Sequence, residues 1–109
     1  MNRAHLSDMV KGWFVGNFNP TAFATEKCEV AVKNYKKGDR DAPHYHELAH
    51  EITVVLDGTV KMLNKTWQSG DVVVIEPGEI SSFEALSNAT LVVVKVPGVK
   101  DDKYLSLIH

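Results

Sequence analysis

The sequence predicts an all-β domain of sandwich or barrel type. Between residues 28 and 96, short apolar and β-branched segments alternate with turn residues, at a spacing of about eight to twelve residues that is typical of such folds. No long segment has the period of a helix. The chain has 109 residues, of which 44% are apolar, and this is enough for one compact core. We therefore expect a single all-β domain.

The first predicted strand runs from Cys28 to Lys36 and ends in a turn at residues 36–39. The next runs from Glu51 to Leu56 and is followed directly by Asp57-Gly58, after which Thr59 to Leu63 forms another. Asp and Gly both tolerate the positive φ of a type I′ turn, so the pair predicts a tight hairpin between these two strands.

The second half of the chain repeats the pattern, with turns at residues 64–65, 69–71 and 76–78. Its predicted strands are Thr66 to Gln68, Val72 to Ile75, Ile80 to Ala85 and Thr90 to Val96. Helix is expected only near the ends, around Ala4 to Lys11 and around Asp101 to Ile108. The domain then spans residues 1–109, with a barrel core at about 26–97 on which segments 1–25 and 98–109 pack.

Composition excludes several classes of function. Twelve basic residues against fourteen acidic ones give a net charge of −2, so the basic excess of a nucleic-acid-binding protein is missing. Cys28 is the single cysteine, which excludes an intramolecular disulfide and a cysteine-rich zinc site. No apolar stretch approaches the length of a membrane span or signal peptide. We expect a cytoplasmic protein that binds neither nucleic acid nor membrane.

Three of the predicted strands are apolar on both faces: Glu51 to Leu56, Val72 to Ile75 and Leu91 to Val94. A sheet with one face in water should alternate apolar and polar residues, so something must cover the second face. The N-terminal aromatic residues Trp13, Phe14 and Phe18 could cover it, as could the C-terminal tail or a second copy of the chain. We favour the second copy and predict a homodimer.

Three of the five histidines, His44, His46 and His50, lie within seven residues, and Glu51 follows directly. Residues i and i+2 of a strand point the same way, so His44 and His46 can reach one ion together. Glu51 can join them if the chain bends and returns as the next strand, giving two imidazoles and one carboxylate with open positions. His50 is one residue out of register with Glu51, and its role stays open.

The remaining histidines, His5 and His109, lie near the ends of the sequence and are best interpreted as surface residues.

A competing motif overlaps this cluster, because residues 46–50 read His-Glu-Leu-Ala-His and satisfy H-E-x-x-H. That motif binds zinc in proteases when its two histidines share a helix face. Pro43 lies three residues upstream and a β-branched run begins at Ile52, which leaves room for about one helical turn. A zinc protease is therefore disfavoured.

These residues resemble the sequence motifs of a known family, the cupins. The segment Gly38-x5-His44-x-His46-x4-Glu51-x6-Gly58 matches the first cupin motif without a gap, and Gly70-Asp71-x4-Glu76-Pro77-Gly78 is similar to the start of the second. The resemblance covers about residues 35–96 and implies a small jelly-roll β-barrel. It also implies that His44, His46 and Glu51 are metal ligands in a pocket that opens at one end of the barrel.

The second motif departs from the family pattern. Its first proline is Glu76, its metal-binding histidine is Ser81 and its closing asparagine is Ala85. A hydroxyl is a poor replacement for imidazole, which leaves three alternatives. The site holds a metal through three ligands, or Glu79 supplies an oxygen, or the metal is lost and the histidines bind an organic ligand directly.

The resemblance leaves the function open, because one fold serves many activities. We expect a pocket that binds a small polar molecule such as a sugar or a carboxylate, with Ser81 and Glu79 on the wall opposite the histidines. A divalent metal such as Fe, Mn, Ni or Zn would make an oxygenase or isomerase possible. The alternative is a ligand-binding or sensor module that works without metal and without catalysis.

Overall fold

The computed structural model describes residues 1–106, and its regular structure is almost entirely β-strand. A 3₁₀ turn at Leu6–Asp8 is the single helical element in this part of the chain, inside the N-terminal region where helix was expected. The strands are β1 (Trp13–Val15), β2 (Glu29–Tyr35), β3 (Arg40–His46), β4 (His50–Asp57), β5 (Thr59–Met62), β6 (Lys65–Gln68), β7 (Val72–Ile75), β8 (Ser81–Ala85), β9 (Ala89–Val96) and β10 (Lys103–Leu105). The all-β prediction is confirmed.

The strands form two antiparallel sheets of five. The first has the order β1-β2-β9-β4-β7, and the second has the order β10-β3-β8-β5-β6. From β2 to β9 the chain crosses repeatedly between the sheets, and only β5 and β6 are consecutive strands that pair with each other. This is the jelly-roll arrangement that the family resemblance implied.

The predicted hairpin at Asp57-Gly58 is wrong. β4 and β5 belong to different sheets, so these residues carry the chain across the barrel. Only Gly58 has a positive φ, +89°, whereas a type I′ turn needs two such residues. A Cβ at Gly58 would overlap the carbonyl oxygen of Asn88, so the glycine is required by a close approach between two loops.

A tight hairpin with two positive φ angles does occur, one connection further along. Leu63 and Asn64 have φ of 53° and 58°, and they join β5 to β6 with Met62 paired to Lys65. The Nε1 of Trp67 donates a hydrogen bond of 2.9 Å to the carbonyl of Met62. This side-chain bond fixes a turn that contains no glycine.

The core lies between the two sheets. It is built from the residues of each strand whose side chains point inward. Its largest fully buried apolar side chains are Val55, Val60 and Leu91. Tyr35 and Phe83 close one end, with ring centroids 4.4 Å apart. Inward positions alternate with outward ones along each strand, as the pleat requires.

The C-terminal segment forms a strand where helix was expected. Lys103, Tyr104 and Leu105 pair with His46, Tyr45 and His44 of β3, while Ile108 lies outside the described residues. The ring of Tyr104 stacks on that of Tyr45 at 5.3 Å between centroids. β10 therefore extends the second sheet directly beside the two histidines.

Trp13 lies on the inner side of the first sheet, because its ring is 4.9 Å from the Nζ atoms of both Lys33 and Lys95. These lysines share the inward parity of the buried residues Ala31 and Val93. Trp13 therefore packs on the inner face of the first sheet. It does not cover the outer face of that sheet, as the sequence analysis had considered.

That outer face carries two continuous apolar rows, each four strands wide, which we call the valine face. One row is Val30, Val94, Ile52 and Val74, and the other is Val32, Val92, Val54 and Val72. Val72 and Val74, on the edge strand β7, are 58% and 49% exposed.

No helix within residues 1–106 is long and apolar enough to cross a membrane.

Candidate functional site

His44 and His46 project from β3 into the space between the sheets. Both are buried, at 7% and 4% exposure. Their ring centroids are 5.5 Å apart and their planes are nearly perpendicular, at 81°. The structure therefore brings the two imidazoles together, as expected for residues i and i+2 of one strand.

Backbone carbonyls select the tautomer of both rings. The Nδ1 of His44 lies 2.9 Å from the oxygen of Ala42, and the Nδ1 of His46 lies 3.0 Å from the oxygen of Asp102. A carbonyl oxygen can only accept a hydrogen bond, so each Nδ1 carries the proton and donates it. In the tautomer that this bond selects, the lone pair is on Nε2.

The Nε2 of His46 is buried, and within residues 1–106 it has no hydrogen-bond partner. The nearest acid is Glu51, whose Oε1 lies 3.9 Å away, too far for a hydrogen bond. Burial lowers the pKa of His46 below its usual value, and the charge of Lys95 lowers it further, although Glu51 opposes both effects. His46 is therefore a neutral imidazole with one unused acceptor.

Glu51 belongs to a row of charges on the inner face of the first sheet. In the strand register, Lys95 of β9 stands between Glu29 of β2 and Glu51 of β4. The side chain of Glu51 is only 15% exposed. Glu51 and Lys95 are therefore direct cross-strand neighbours of opposite charge, an arrangement that favours attraction between them.

Asp102 is a site residue that the sequence analysis missed. Its carboxylate accepts hydrogen bonds from the backbone N–H groups of Glu47, Leu48 and Ala49 at 3.0–3.2 Å, while its own carbonyl holds His46. It is 5% exposed. Nothing in the Lys-Asp-Asp-Lys sequence of residues 100–103 singles it out, because the role depends on the tail packing against a loop more than fifty residues earlier.

Ser81 lies beside the histidines. It is buried and stands directly across from His44 in the register between β3 and β8. Its hydroxyl is 3.4 Å from the carbonyl of Ser82, a long hydrogen bond. The structure thus puts Ser81 on the strand next to His44 and not on the opposite wall that the sequence analysis expected.

Glu79 and His50 lie outside this group. Glu79 is exposed and accepts a hydrogen bond from the backbone N–H of Glu76 at 2.9 Å, which closes its own turn. The Nε2 of His50 lies 2.8 Å from Oε2 of Glu76, and both side chains are about half exposed. His50 begins β4, whereas His46 ends β3. The single helix face that H-E-x-x-H requires is therefore not formed.

A cavity of 390 Å³ is lined in part by His46. Its walls include His46, Ala49, Glu29 and Lys95, together with the C-terminal segment Val99–Lys103. This volume suits a small molecule. The mixture of ammonium and carboxylate groups makes the cavity polar.

The donor set fits a divalent metal only in part. Two imidazoles with free Nε2 atoms are suitable ligands, and their backbone-bonded Nδ1 atoms give the orientation that metal-binding histidines need. However, no three His, Cys, Asp or Glu side chains in residues 1–106 are grouped so that they could hold one ion. A complete site of three protein ligands is therefore not formed in this part of the chain.

Comparison with known proteins supports the fold. No protein-family model matches the sequence, and no curated protein matches it either. Among solved structures, the chain is similar to a protein with a double-stranded β-helix domain from Klebsiella pneumoniae, with a TM-score of 0.68 and 20% identity, over 75% of this chain and 76% of that one.

Two further structures give the same result. An RmlC-like cupin from Shewanella frigidimarina matches with a TM-score of 0.64 and 16% identity, over 72% of each chain. The DMSP lyase DddQ from Ruegeria pomeroyi matches with a TM-score of 0.69 and 16% identity, over 97% of this chain and 60% of that one. The jelly-roll topology and these similarities together define a protein with the cupin fold.

Proposed function

We propose that this cupin-fold protein binds a small polar molecule at His46, inside the barrel and beside Glu51. The observation that carries the proposal is the Nε2 atom of His46, which is buried and has no hydrogen-bond partner in the described chain. Leaving such an acceptor unpaired costs about 1–3 kcal/mol. A ligand that donates a hydrogen bond to Nε2 recovers this cost, so the site favours an occupant.

The chemistry of the neighbouring groups defines the class of ligand. A lone pair on Nε2 requires a donor, for which the hydroxyl of a sugar or hydroxy acid is suitable. Lys95 adds a cation on the same inner face, which complements a carboxylate. We therefore propose a small hydroxylated molecule, with a hydroxy acid using both groups.

The same arrangement supports proton transfer. His46 can accept a proton at Nε2 because its Nδ1 proton is held by the Asp102 carbonyl, and Glu51 at 3.9 Å stabilises the charged ring that results. Removal of a proton from a bound hydroxyl or from an adjacent carbon is the reaction type that this pair could catalyse. Binding without catalysis uses the same contacts and remains the alternative.

The imidazole ¹⁵N spectrum of His46 provides a direct test. We expect a panel of small hydroxy acids and sugars to include at least one compound that shifts the Nε2 resonance of His46. The variant His46→Gln should lose that binding, whereas His50→Gln, which changes an exposed histidine outside the pocket, should retain it. A panel that leaves the Nε2 resonance unchanged, or a His46→Gln protein that binds equally well, contradicts the proposal.

A divalent metal held by the two imidazoles of His44 and His46 alone is a second candidate. It is supported by the two Nδ1–carbonyl hydrogen bonds, which leave both Nε2 atoms as potential ligands. Such an ion would act as a Lewis acid on the bound molecule. Elemental analysis of protein purified without chelator or nickel resin tests this candidate. Stoichiometric metal that is lost in His44→Ala and His46→Ala supports it, and metal-free protein that still binds hydroxy acids contradicts it.

We further propose that a second copy of the chain covers the valine face. Both rows consist of uncharged apolar side chains. A two-fold axis would place this face against itself without burying an unpaired charge. Exposed apolar patches of this kind are typical of interaction sites.

A further inference from the structure

A second cavity, of 770 Å³, lies on the side of the barrel between the two sheets. We call it the side cleft. One wall is the N-terminal segment around Lys11, the next is β2 with Lys33, and the third is the start of β3 with Arg40 and Asp41, joined by Lys103 of β10. His46, Glu51 and Lys95 do not line it, and Lys103 is the one described residue that it shares with the cavity at His46.

Lys33 is the central cation of the side cleft. Its side chain points inward, and its Nζ donates a hydrogen bond of 2.8 Å to the backbone carbonyl of Lys11 and lies 4.9 Å from the centre of the Trp13 ring. An ammonium group has three donors. Among residues 1–106 no carboxylate lies within ion-pair distance of Lys33, and its other two donors have no protein acceptor.

Apart from Lys11, the other charged side chains of the side cleft already have partners. Arg40 bonds to Glu84 at 3.3 Å, and Lys103 bonds to Asp41 at 3.1 Å. The carboxylate of Asp39 accepts the backbone N–H of Lys36 at 2.8 Å. The acids of the cleft are therefore used locally, and the charge of Lys33 is left without a counterion from the described chain.

Electrostatics supports the same conclusion. Burial lowers the pKa of Lys33 to about 8, and the nearby charges of Lys95, Lys11 and Lys103 contribute in the same direction. Asp41 opposes the shift but ranks last among its causes. A partly buried cation surrounded by other cations is destabilised, and an anion placed in the cleft would relieve this.

We propose that the side cleft binds the carboxylate or phosphate group of a small molecule, with Lys33 as its principal contact. The two unused N–H donors of Lys33 would bond to the anion's oxygens, and Lys11 and Lys103 would add long-range attraction. Charge-assisted hydrogen bonds of this kind are the stronger class in proteins. The site does not depend on ligand binding at His46.

Isothermal titration calorimetry at pH 7 and low ionic strength tests the proposal, with inorganic phosphate and succinate as separate probes. We expect at least one probe to bind, and Lys33→Met to weaken that binding at least about tenfold, in line with the loss of charged hydrogen bonds. Lys65→Met, which removes an exposed lysine of β6, should bind as the unaltered protein does. Comparing the probes distinguishes a phosphate site from a carboxylate site.

The controls separate anion binding from a purely structural role of Lys33. Lys33→Arg keeps the charge and should retain most of the affinity even if Lys33→Met loosens the N-terminal segment. His46→Gln should bind the probes normally, which distinguishes this site from the proposed function. If neither probe binds, or if Lys33→Met binds as tightly as Lys65→Met, the proposal is wrong and Lys33 only anchors the N-terminal segment to β2.

Discussion

His44 and His46 lie two residues apart on β3, but their surroundings differ. His44 has Asp41 within 3.7 Å of its Nδ1, whereas the nearest acid to His46 is Glu51, on the Nε2 side. The ring of His46 is bonded at one nitrogen and unpaired at the other. The unpaired nitrogen on which the proposed ligand binding rests therefore belongs to His46, while the ring of His44 packs against it.

The contribution of Lys33 to stability depends on pH. Burial lowers the pKa of Lys33 to about 8 in the folded protein, from its ordinary value of 10.5 in an unfolded chain. Between these values the unfolded chain binds more protons at Lys33, so the free energy of unfolding rises with pH. The cost of the buried charge is fully present below about pH 8 and is relieved as the pH approaches 10.5.

We therefore predict that wild-type protein gains stability relative to Lys33→Met as the pH rises from 7.5 to 9.5. Chemical denaturation of both proteins across this range measures the difference, and other groups that titrate in both proteins largely cancel. A Lys65→Met protein should stay parallel to the wild type. A constant difference between wild type and Lys33→Met would show that Lys33 titrates normally.

Gly58 and Gly70 allow a matched test of backbone crowding. Both have positive φ, +89° and +94°, but a Cβ at Gly58 would overlap Asn88 whereas a Cβ at Gly70 would meet nothing within 4 Å. Gly70→Ala should cost about 1–2 kcal/mol from the left-handed backbone alone. Gly58→Ala should cost about 1–3 kcal/mol more, because a backbone must also move. Urea denaturation measures both, and equal losses would contradict the close approach.

At the scale of elements, the loop between β3 and β4 is held by the tail of the chain. The carboxylate of Asp102 accepts three successive backbone N–H groups of this loop, which supplies partners that the loop itself lacks. Because β3 carries His46 and β4 carries Glu51, the distance between these two residues depends on this loop. Asp102 is thus a positioning residue.

We predict that Asp102→Asn lowers the free energy of unfolding by about 2–3 kcal/mol, because the amide loses the charge and turns its own N–H groups toward other donors. Asp101→Asn is the control and should change stability by less than about 0.5 kcal/mol, since Asp101 is exposed and Asn tolerates its φ of 58°. Hydrogen exchange at Ala49 should accelerate in the first variant only. Unchanged protection there would contradict this role.

Seven of the ten described strands, β2 and β4 to β9, were predicted from sequence, whereas β10 was expected to be helix. The pairing of the strands was not predicted. Segments such as Glu51 to Leu56 and Thr90 to Val96 were located to within a residue or two, because alternation and turn residues are local signals. Asp57-Gly58 was misassigned because a positive φ at Gly58 serves equally for a hairpin or for a crossing between sheets. Which one occurs depends on β9, whose approach cannot be read from residues 57 and 58.

The same distinction applies to the site, where some residues were predicted from local patterns and others depend on contacts that the sequence does not show. His44 and His46 lie together as strand parity and the family motif predicted. Ser81, also taken from the motif, lies on the neighbouring strand and not on the opposite wall. Glu79 shares the parity of Ser81, but its carboxylate bonds to the N–H of Glu76 within a turn. Asp102 was missed because its partners are more than fifty residues away in the chain.

At the scale of the whole molecule, the valine face predicts assembly. We expect light scattering at micromolar concentration to give twice the chain mass of 12.1 kDa. Val74→Lys puts a charge into one of the two rows and should shift the protein to the monomer. Leu48→Lys is the control, because Leu48 is 60% exposed and lies in a loop away from this face. A wild-type protein of 12 kDa would contradict the prediction.

The central position of β9 affects how the polypeptide matures. This strand lies between β2 and β4, so the first sheet stays split until residue 96 has been synthesised. Asp102, whose carboxylate holds the loop between β3 and β4, is synthesised later still. A nascent chain emerging from the ribosome must therefore keep β2 and β4 apart, with their apolar surfaces exposed, through most of its synthesis. Since pairing of distant segments slows folding, this interval is when the protein most needs protection from aggregation.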